Sequence, residues 1–164
     1  MNFQTLFLSA SGRIGRQSFW IAFLILFVAN LIIGAIINAM GQNNLANLLR
    51  LLINLVFCYF WVCVYSKRLH DMGKSGWLQL IVWGVWIVAV VAAVVLGGAA
   101  FMAAMSGGAG AGSGAAMAAM GSVALPLGLG VLVSLAFLIW VGVTPGQPGD
   151  NAYGPPVTRE PAAA

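Results

Sequence analysis

The sequence predicts an all-α integral membrane protein, a bundle of four transmembrane helices with both termini in the cytoplasm. Only ten of the 164 residues are charged, whereas a soluble chain of this length carries roughly forty. In addition, 62% of the residues are apolar and the mean hydropathy is +0.99, so too few polar groups are available to cover a water-soluble globule. Hydrocarbon must therefore solvate the rest of the surface.

The first predicted span covers residues 19–40, an apolar run that follows Arg13 and Arg16. Because about twenty apolar residues exceed the core of a signal peptide, and no small-x-small cleavage site precedes a soluble domain, we expect this span to be retained. A polar turn, residues 41–44, separates it from the second span, residues 46–65. A full second span brings Arg50 inside the helix end, where its long stem can reach the interface.

The second half of the chain contains an uncharged run from Ser75 to Gly149. As one helix it would extend about 110 Å, several times the roughly 30 Å hydrocarbon core, so it must cross the membrane twice. Residues 97–122 are a low-complexity mixture of Gly, Ala, Ser and Met, which predicts an outer loop. The third and fourth spans are therefore residues 77–96 and 123–143. The tail is residues 144–164, and the whole chain is predicted to be a single membrane domain.

The basic residues predict the orientation. In a four-span chain the N-terminal segment, the loop after span two and the tail share one side, and that side holds six of the seven basic residues. The positive-inside rule places this side in the cytoplasm. Anionic lipids of the inner leaflet are the expected partner, whereas a nucleic acid is not, because the charges are few and tied to span ends. The six residues are Arg13, Arg16, Lys67, Arg68, Lys74 and Arg159.

The densest polar segment, residues 66–77, lies between spans two and three and predicts the corner of a helical hairpin. Gly73 is suited to a left-handed cap at the end of the second helix, and Ser75 to an N-cap of the third. Trp77 would anchor the third helix at the membrane interface.

An ion pair within the helix is predicted in the same corner. Asp71 lies three residues after Arg68 and four after Lys67, spacings that favour an ion pair on one helix face. His70, the only histidine, stands beside this carboxylate and between cations. The corner is therefore either a structural turn or a site for an anionic headgroup or the acidic peptide of a partner.

Three motifs in this chain resemble the domain-of-unknown-function 805 family, which comprises small bacterial inner-membrane proteins. They are residues 12–16 followed by Phe19 and Trp20, then residues 67–77, then residues 149–155. The resemblance implies a four-helix protein of the bacterial inner (plasma) membrane with these motifs on the cytoplasmic side, and it brings no established activity. Lys67 stands where the family usually has a second Arg, and lysine cannot reproduce a bidentate arginine contact.

All three motifs fall in predicted cytoplasmic segments, so their polar residues are expected to meet in one cluster. Asp150 is expected to pair with an arginine of the first motif and tie the tail beneath the bundle. The cluster is either a binding site or a polar plug that fixes the loops. The candidate ligand- or partner-binding residues are Arg13, Arg16, Arg68, His70, Asp71, Ser75, Trp77, Asp150, Asn151 and Tyr153.

Two polar stripes lie within the first two spans. Such stripes either line a wet path or hydrogen-bond between helices, as asparagine often does in membranes. Apart from the stripes, a homo-oligomer or a membrane-protein partner is also left open. The residues are Asn30, Gly34 and Asn38 on span one, and Asn47, Arg50, Asn54 and Cys58 on span two.

The leading functional hypothesis is a non-catalytic module that binds lipid headgroups or a protein partner through the cytoplasmic cluster. A small oligomeric transporter or channel is the alternative, although no Asp, Glu, Lys or His within a predicted span offers a proton carrier. An enzyme is the third reading. It is the weakest, because His70 and Asp71 point about 100° apart on a helix and do not form the acid–histidine pair of a triad. A single histidine makes a zinc site implausible, and no metal or cofactor is predicted.

Overall fold

The computed structural model describes residues 3–41, 43–106 and 113–157. Most of these residues lie in helices, which confirms the predicted all-α class. The elements are α1 (Phe3–Leu8), α2 (Arg16–Ala39), α3 (Asn44–Asp71), a 3₁₀ turn (Gly76–Gln79), α4 (Leu80–Ser106) and α5 (Ser113–Val143).

Four helical segments are long and apolar enough to cross a membrane, as the sequence predicts. At most 17% of the residues in the most apolar window of each segment are buried within the chain. The other apolar side chains in these windows are not buried within the chain, so hydrocarbon or another protein must surround them instead of water. The segments are Arg16–Ala39, Asn44–Asp71, Gly76–Gly98 and Met120–Val143.

Helices α2 and α3 form an antiparallel hairpin. Aromatic side chains fill the space between them: Phe19 is fully buried with its ring 5.4 Å from that of Tyr65, and the rings of Phe23 and Trp61 are 5.2 Å apart. Helix α3 begins two residues before the predicted span because the side chain of Asn43 accepts a hydrogen bond from the Ala46 amide at 2.8 Å. It continues past the predicted end of the span to Asp71, as the predicted helical corner requires.

Helix α1 was not predicted, because six residues are too few for a recognisable periodicity. Its last turn is fixed to α3 through backbone carbonyls, the groups that a helix leaves available at its end. The Lys67 ammonium donates to the carbonyls of Thr5 and Leu6, and the Tyr59 hydroxyl donates to the carbonyl of Leu8 at 2.8 Å. A cation is favourable here because the carbonyl end of a helix is partially negative.

The chain divides into two compact units. One comprises residues 1–79 and 141–164, and it contains all the predicted site residues; the other comprises residues 80–140. The sequence does not mark this division, because neither charge nor a linker separates residue 79 from residue 80. In the second unit the indole of Trp86 donates to the Ser134 hydroxyl at 2.9 Å, and that hydroxyl donates to the Gly130 carbonyl at 2.8 Å.

The predicted outer loop, residues 97–122, differs from the structure at both ends. Helix α4 continues through Ser106, and α5 already begins at Ser113. The physical reason is the high helix propensity of Ala and Met, which a reading based on low complexity undervalues. Residues 107–112 of the predicted loop lie outside the described part of the chain.

Candidate functional site

Two arginines and one aspartate form the centre of the site, here called the Arg–Asp cluster (Arg13, Arg68 and Asp71). Asp71 is the last residue of α3, and Arg68 lies on the preceding turn, where the predicted pair between them is formed. Arg13 comes from the segment before α2, and its Nη2 lies 3.2 Å from the Asp71 Oδ1. The side chains of Arg13, Arg68 and Asp71 are only 2%, 0% and 6% exposed, so each charge depends on its partners rather than on water.

Arg68 also closes the carbonyl end of α5. Its Nε donates to the Val141 carbonyl at 3.0 Å, and its Nη2 donates to the Thr144 carbonyl. A third bond, from Nη1 to the Ile14 carbonyl at 3.4 Å, joins the first motif. The last carbonyls of a helix lack intrahelical partners and carry partial negative charge, which explains why a guanidinium is stable at this position.

Arg13 binds the tail that follows α5. Its Nη1 donates to the carbonyls of Gly149 at 2.9 Å and Gly154 at 3.1 Å, and its Nη2 donates to the Gln147 carbonyl at 2.6 Å. The planar guanidinium suits this role because it offers five donors in a fixed arrangement. The Asp71 backbone completes the attachment, since its carbonyl accepts from the Gln147 amide at 2.8 Å.

The predicted ion pair of Asp150 with an arginine of the first motif was wrong. Within the described part of the chain Arg13 pairs with Asp71, whereas Asp150 is exposed and makes no ion pair. The tail is held beneath the first motif as expected, but through backbone carbonyls. A carboxylate facing water avoids the desolvation cost that a second buried acid would carry.

Two glycines allow the backbone segments to approach the Arg–Asp cluster. Gly73 has φ +68°, the left-handed cap predicted for the end of α3, and the side chain of Gln147 occupies the space where its Cβ would stand. At Gly146 a Cβ would collide with the carboxylate of Asp71. Any larger residue at Gly146 would push the tail away from α3.

His70 takes part in the same structure without pairing with Asp71. Its imidazole stacks on the ring of Tyr153, with centroids 3.7 Å apart and planes inclined by 5°, and its Nδ1 lies 3.2 Å from the Gly12 carbonyl. The Asn151 side chain donates to the His70 carbonyl at 2.9 Å and accepts from the Tyr153 amide at 2.9 Å. Residues of the three motifs thus meet at one histidine, whereas the sequence predicts only that they share one cluster.

Ser75 and Trp77 lie at the start of the 3₁₀ turn. The Ser75 hydroxyl accepts from the Trp77 amide at 3.3 Å, so the predicted cap is present on the 3₁₀ turn that precedes α4. Trp77 is 77% exposed and is available to a membrane interface. In the same turn, the side-chain amide of Gln79 donates to the Ser66 hydroxyl at 2.9 Å and fixes the turn to α3.

Two important residues were missed by the sequence reading. The sequence predicts Lys67 as a partner for Asp71, but its ammonium binds α1 instead. Gln147 contacts Asp71, Arg13 and Asn151 and was not a candidate at all. The signal in the sequence that pointed to Gln147 was its position as a polar residue between Pro145 and Pro148, immediately after a span.

The predicted residues differ in what they can offer a ligand. Arg13 and Arg68 are buried and occupied by protein carbonyls and the shared carboxylate, whereas Arg16, Lys74 and Trp77 are exposed. Arg16 makes one long bond, from Nη1 to the Val143 carbonyl at 3.4 Å. In the described part of the chain no group of three His, Cys, Asp or Glu side chains is placed to hold a metal ion.

The fold and the site define an all-helical protein with four helices able to span a membrane, in which three polar motifs meet around a buried arginine pair. The chain belongs to the family described as "Protein of unknown function (DUF805)", whose sequence profile matches residues 7–155, nearly the whole chain.

A curated relative from Escherichia coli K12, "Uncharacterized protein YiiR", is 34% identical over 88 residues, which cover 51% of this chain and 57% of that protein. The protein of the same name from Escherichia coli O157:H7 matches over the same length with the same identity. The match therefore spans little more than half the length of these relatives. No solved structure matches the chain significantly.

Proposed function

We propose that this protein is a non-catalytic module of the bacterial inner membrane, with both termini in the cytoplasm, that binds anionic lipid headgroups around the Arg–Asp cluster. The observation that carries the proposal is the charge balance of the three motifs. The motifs contain five basic side chains, and only two carboxylates oppose these. The basic residues are Arg13, Arg16, Lys67, Arg68 and Lys74; the acids are Asp71 and Asp150.

The buried and exposed cations have different roles. Arg13 and Arg68 share one carboxylate, so the interior of the site keeps a positive excess that water screens poorly. These two residues hold the chain together and do not touch the ligand. Their charge raises the local potential, which attracts phosphate groups to the surrounding surface.

The exposed residues make the contact with lipid. Arg16 and Lys74 are exposed at the start of α2 and just after α3, where each can reach the headgroup region. Trp77 is three residues from Lys74, and an exposed indole at the end of a span is typical of the interface between hydrocarbon and headgroups. A basic group beside such an indole favours a lipid surface over a protein partner.

Native mass spectrometry of the purified protein can test the proposal. Wild-type protein is equilibrated with equal amounts of phosphatidylglycerol and phosphatidylcholine, and the bound lipids are counted. We expect wild type to prefer phosphatidylglycerol and the Arg16→Gln, Lys74→Gln double variant to lose most of this preference, since each juxtamembrane cation contributes about 1 kcal/mol, roughly fivefold in affinity.

Arg50→Gln is the control for the single variant Arg16→Gln, because each removes one cation but Arg50 lies at the opposite end of the α2–α3 hairpin. It should leave the binding at the motif end unchanged, so its lipid preference should exceed that of Arg16→Gln alone. Equal lipid binding by wild type and the double variant would refute the proposal. A co-purifying protein lost from the double variant, with unchanged lipid binding, would instead favour a protein partner.

A further inference from the structure

Two asparagines lie exposed in the middle of the α2–α3 hairpin. Asn30 and Asn54 both present their side chains at the surface of the chain, and neither amide has a hydrogen-bond partner among the described residues. Asn30 lies nine residues before the end of α2, and Asn54 ten residues after the start of α3. At about 1.5 Å per residue both amides are some 15 Å from the turn, near the middle of a roughly 30 Å hydrocarbon core.

The other polar residues of these stripes are satisfied within the hairpin. Arg50 donates from Nη2 to the Asn38 side chain at 2.9 Å and from Nη1 to the Asn47 side chain at 3.5 Å. Arg50, Asn38 and Asn47 all lie close to the turn between α2 and α3, where water can also reach them. Asn30 and Asn54 have neither advantage, and an amide without a partner is strongly disfavoured in hydrocarbon.

The remaining spans of this chain offer little to pair with two amides. The described side chains of α4 between Leu80 and Gly98 are apolar apart from two tryptophans, and the indole of Trp86 is bound to Ser134. The Ser134 hydroxyl in turn donates within α5. Neither amide has a partner among the described residues, and a partner from outside the chain can supply the hydrogen bonds that both need.

A second copy of the chain supplies the required chemistry. Each amide is both a donor and an acceptor, so a surface that carries Asn30 and Asn54 is complementary to itself. A two-fold axis brings the same patch of both copies together, which is the commonest symmetry of homo-oligomers. We propose that Asn30 and Asn54 form the centre of an interface through which two copies of this protein associate in the membrane.

Cysteine cross-linking in native membranes can test the interface. Cys58 is first replaced by Ala, because it lies one turn from Asn54, while the buried Cys63 is kept. Asn30→Cys and Asn54→Cys are then introduced separately and oxidised. The controls are Leu31→Cys and Leu55→Cys, which are exposed at the same depth but point about 100° away on their helices.

We expect disulfide-linked dimers from at least one of the asparagine positions, and at least fivefold fewer from the leucine positions. Equal cross-linking at both faces, or no dimer at any position, would overturn the proposal. Cross-linking of Asn30→Cys or Asn54→Cys to a different protein would also overturn it, because the partner would then not be a second copy.

A dilution experiment measures the contribution of the amides themselves. The Asn30→Leu, Asn54→Leu double variant and wild type are labelled with donor and acceptor fluorophores. The energy transfer between copies is then measured as the protein is diluted with lipid. Loss of the amide bonds should raise the dissociation constant of the dimer about tenfold. An unchanged dissociation constant in a variant with native helix content would refute a role for the two amides, and the cross-linking result does not depend on the folding of this variant.

Discussion

Asp71→Asn is the sharpest test of the Arg–Asp cluster, because it removes one charge and keeps the shape of the side chain. The carboxylate is 6% exposed and lies between two guanidiniums that are 2% and 0% exposed. Removing one partner of a buried ion pair costs about 3–5 kcal/mol, because the remaining charge loses its compensation. The asparagine still offers one oxygen to Arg13 or Arg68, so we expect a loss at the lower end, about 3 kcal/mol.

The assay is reversible unfolding in mixed micelles, followed by tryptophan fluorescence. Trp20 is a useful reporter because its indole packs directly against Gly142, at the end of α5 that Arg68 holds. A loss of about 3 kcal/mol corresponds to a change of more than a hundredfold in the unfolding equilibrium constant.

Asp150→Asn is the matched control, with the same chemical change at an exposed carboxylate that makes no ion pair among the described residues. It should change stability by less than about 0.5 kcal/mol. If Asp71→Asn and Asp150→Asn had equal effects, the buried arginines would not depend on Asp71, and the structural account of the cluster would be wrong.

Two further changes examine how the tail is attached. Arg13→Lys should lower the free energy of unfolding by about 2 kcal/mol, because an ammonium cannot reach the three tail carbonyls and the carboxylate together. Arg16→Lys, at an exposed position with one long hydrogen bond, should lower it by less than about 0.5 kcal/mol. Equal losses for the two variants in the same unfolding assay would contradict this account. Gly146→Ala should lower the free energy of unfolding by about 2 kcal/mol, because its Cβ would collide with the buried Asp71 carboxylate, whereas Gly149→Ala, with open space around it, should be nearly neutral. Protease cleavage of the tail should accelerate only in Gly146→Ala. Cleavage at the same rate in both variants would show that the close approach of the tail to Asp71 is unimportant.

The structure gives the family motifs a structural role. The arginines of the first and second motifs bind backbone carbonyls of the third motif and of the end of α5, and the buried carboxylate of the second motif neutralises part of their charge. This arrangement satisfies a helix end and a tail that would otherwise expose unpaired carbonyls. Variation at the buried arginines should therefore change stability, and variation at the exposed cations should change what the surface binds.

Local features of the site could be predicted from the sequence. The pair between Arg68 and Asp71 needs only the geometry of one helical turn, and the cap at Gly73 needs only the preference of glycine for a positive φ. Ser75 was assigned as a cap for the same local reason. Such features depend on residues within four positions of each other, where helix geometry fixes the distances.

Distant partners could not be predicted in the same way. The sequence suggested Asp150 as the partner of an arginine, because opposite charges are the visible signal, and it suggested Lys67 as a partner of Asp71. In the structure, Arg13 binds the carbonyl of Gly149 instead, and Lys67 binds the carbonyls of α1. Every residue carries a backbone carbonyl, so no letter of the sequence distinguishes those that an arginine or lysine will find.

The ten charges in 164 residues and the length of the apolar runs determined that this is an all-helical protein with four helices able to span a membrane, because composition fixes which solvent a chain can tolerate. Tertiary structure alone decided which cations are buried and which remain exposed. Arg68 reaches Val141 across 73 residues of sequence, and Arg13 reaches Gly154 across 141. Those contacts form only where the helix ends and the tail pack together. This packing, rather than charge alone, explains why Arg13 and Arg68 are buried while Arg16 is exposed.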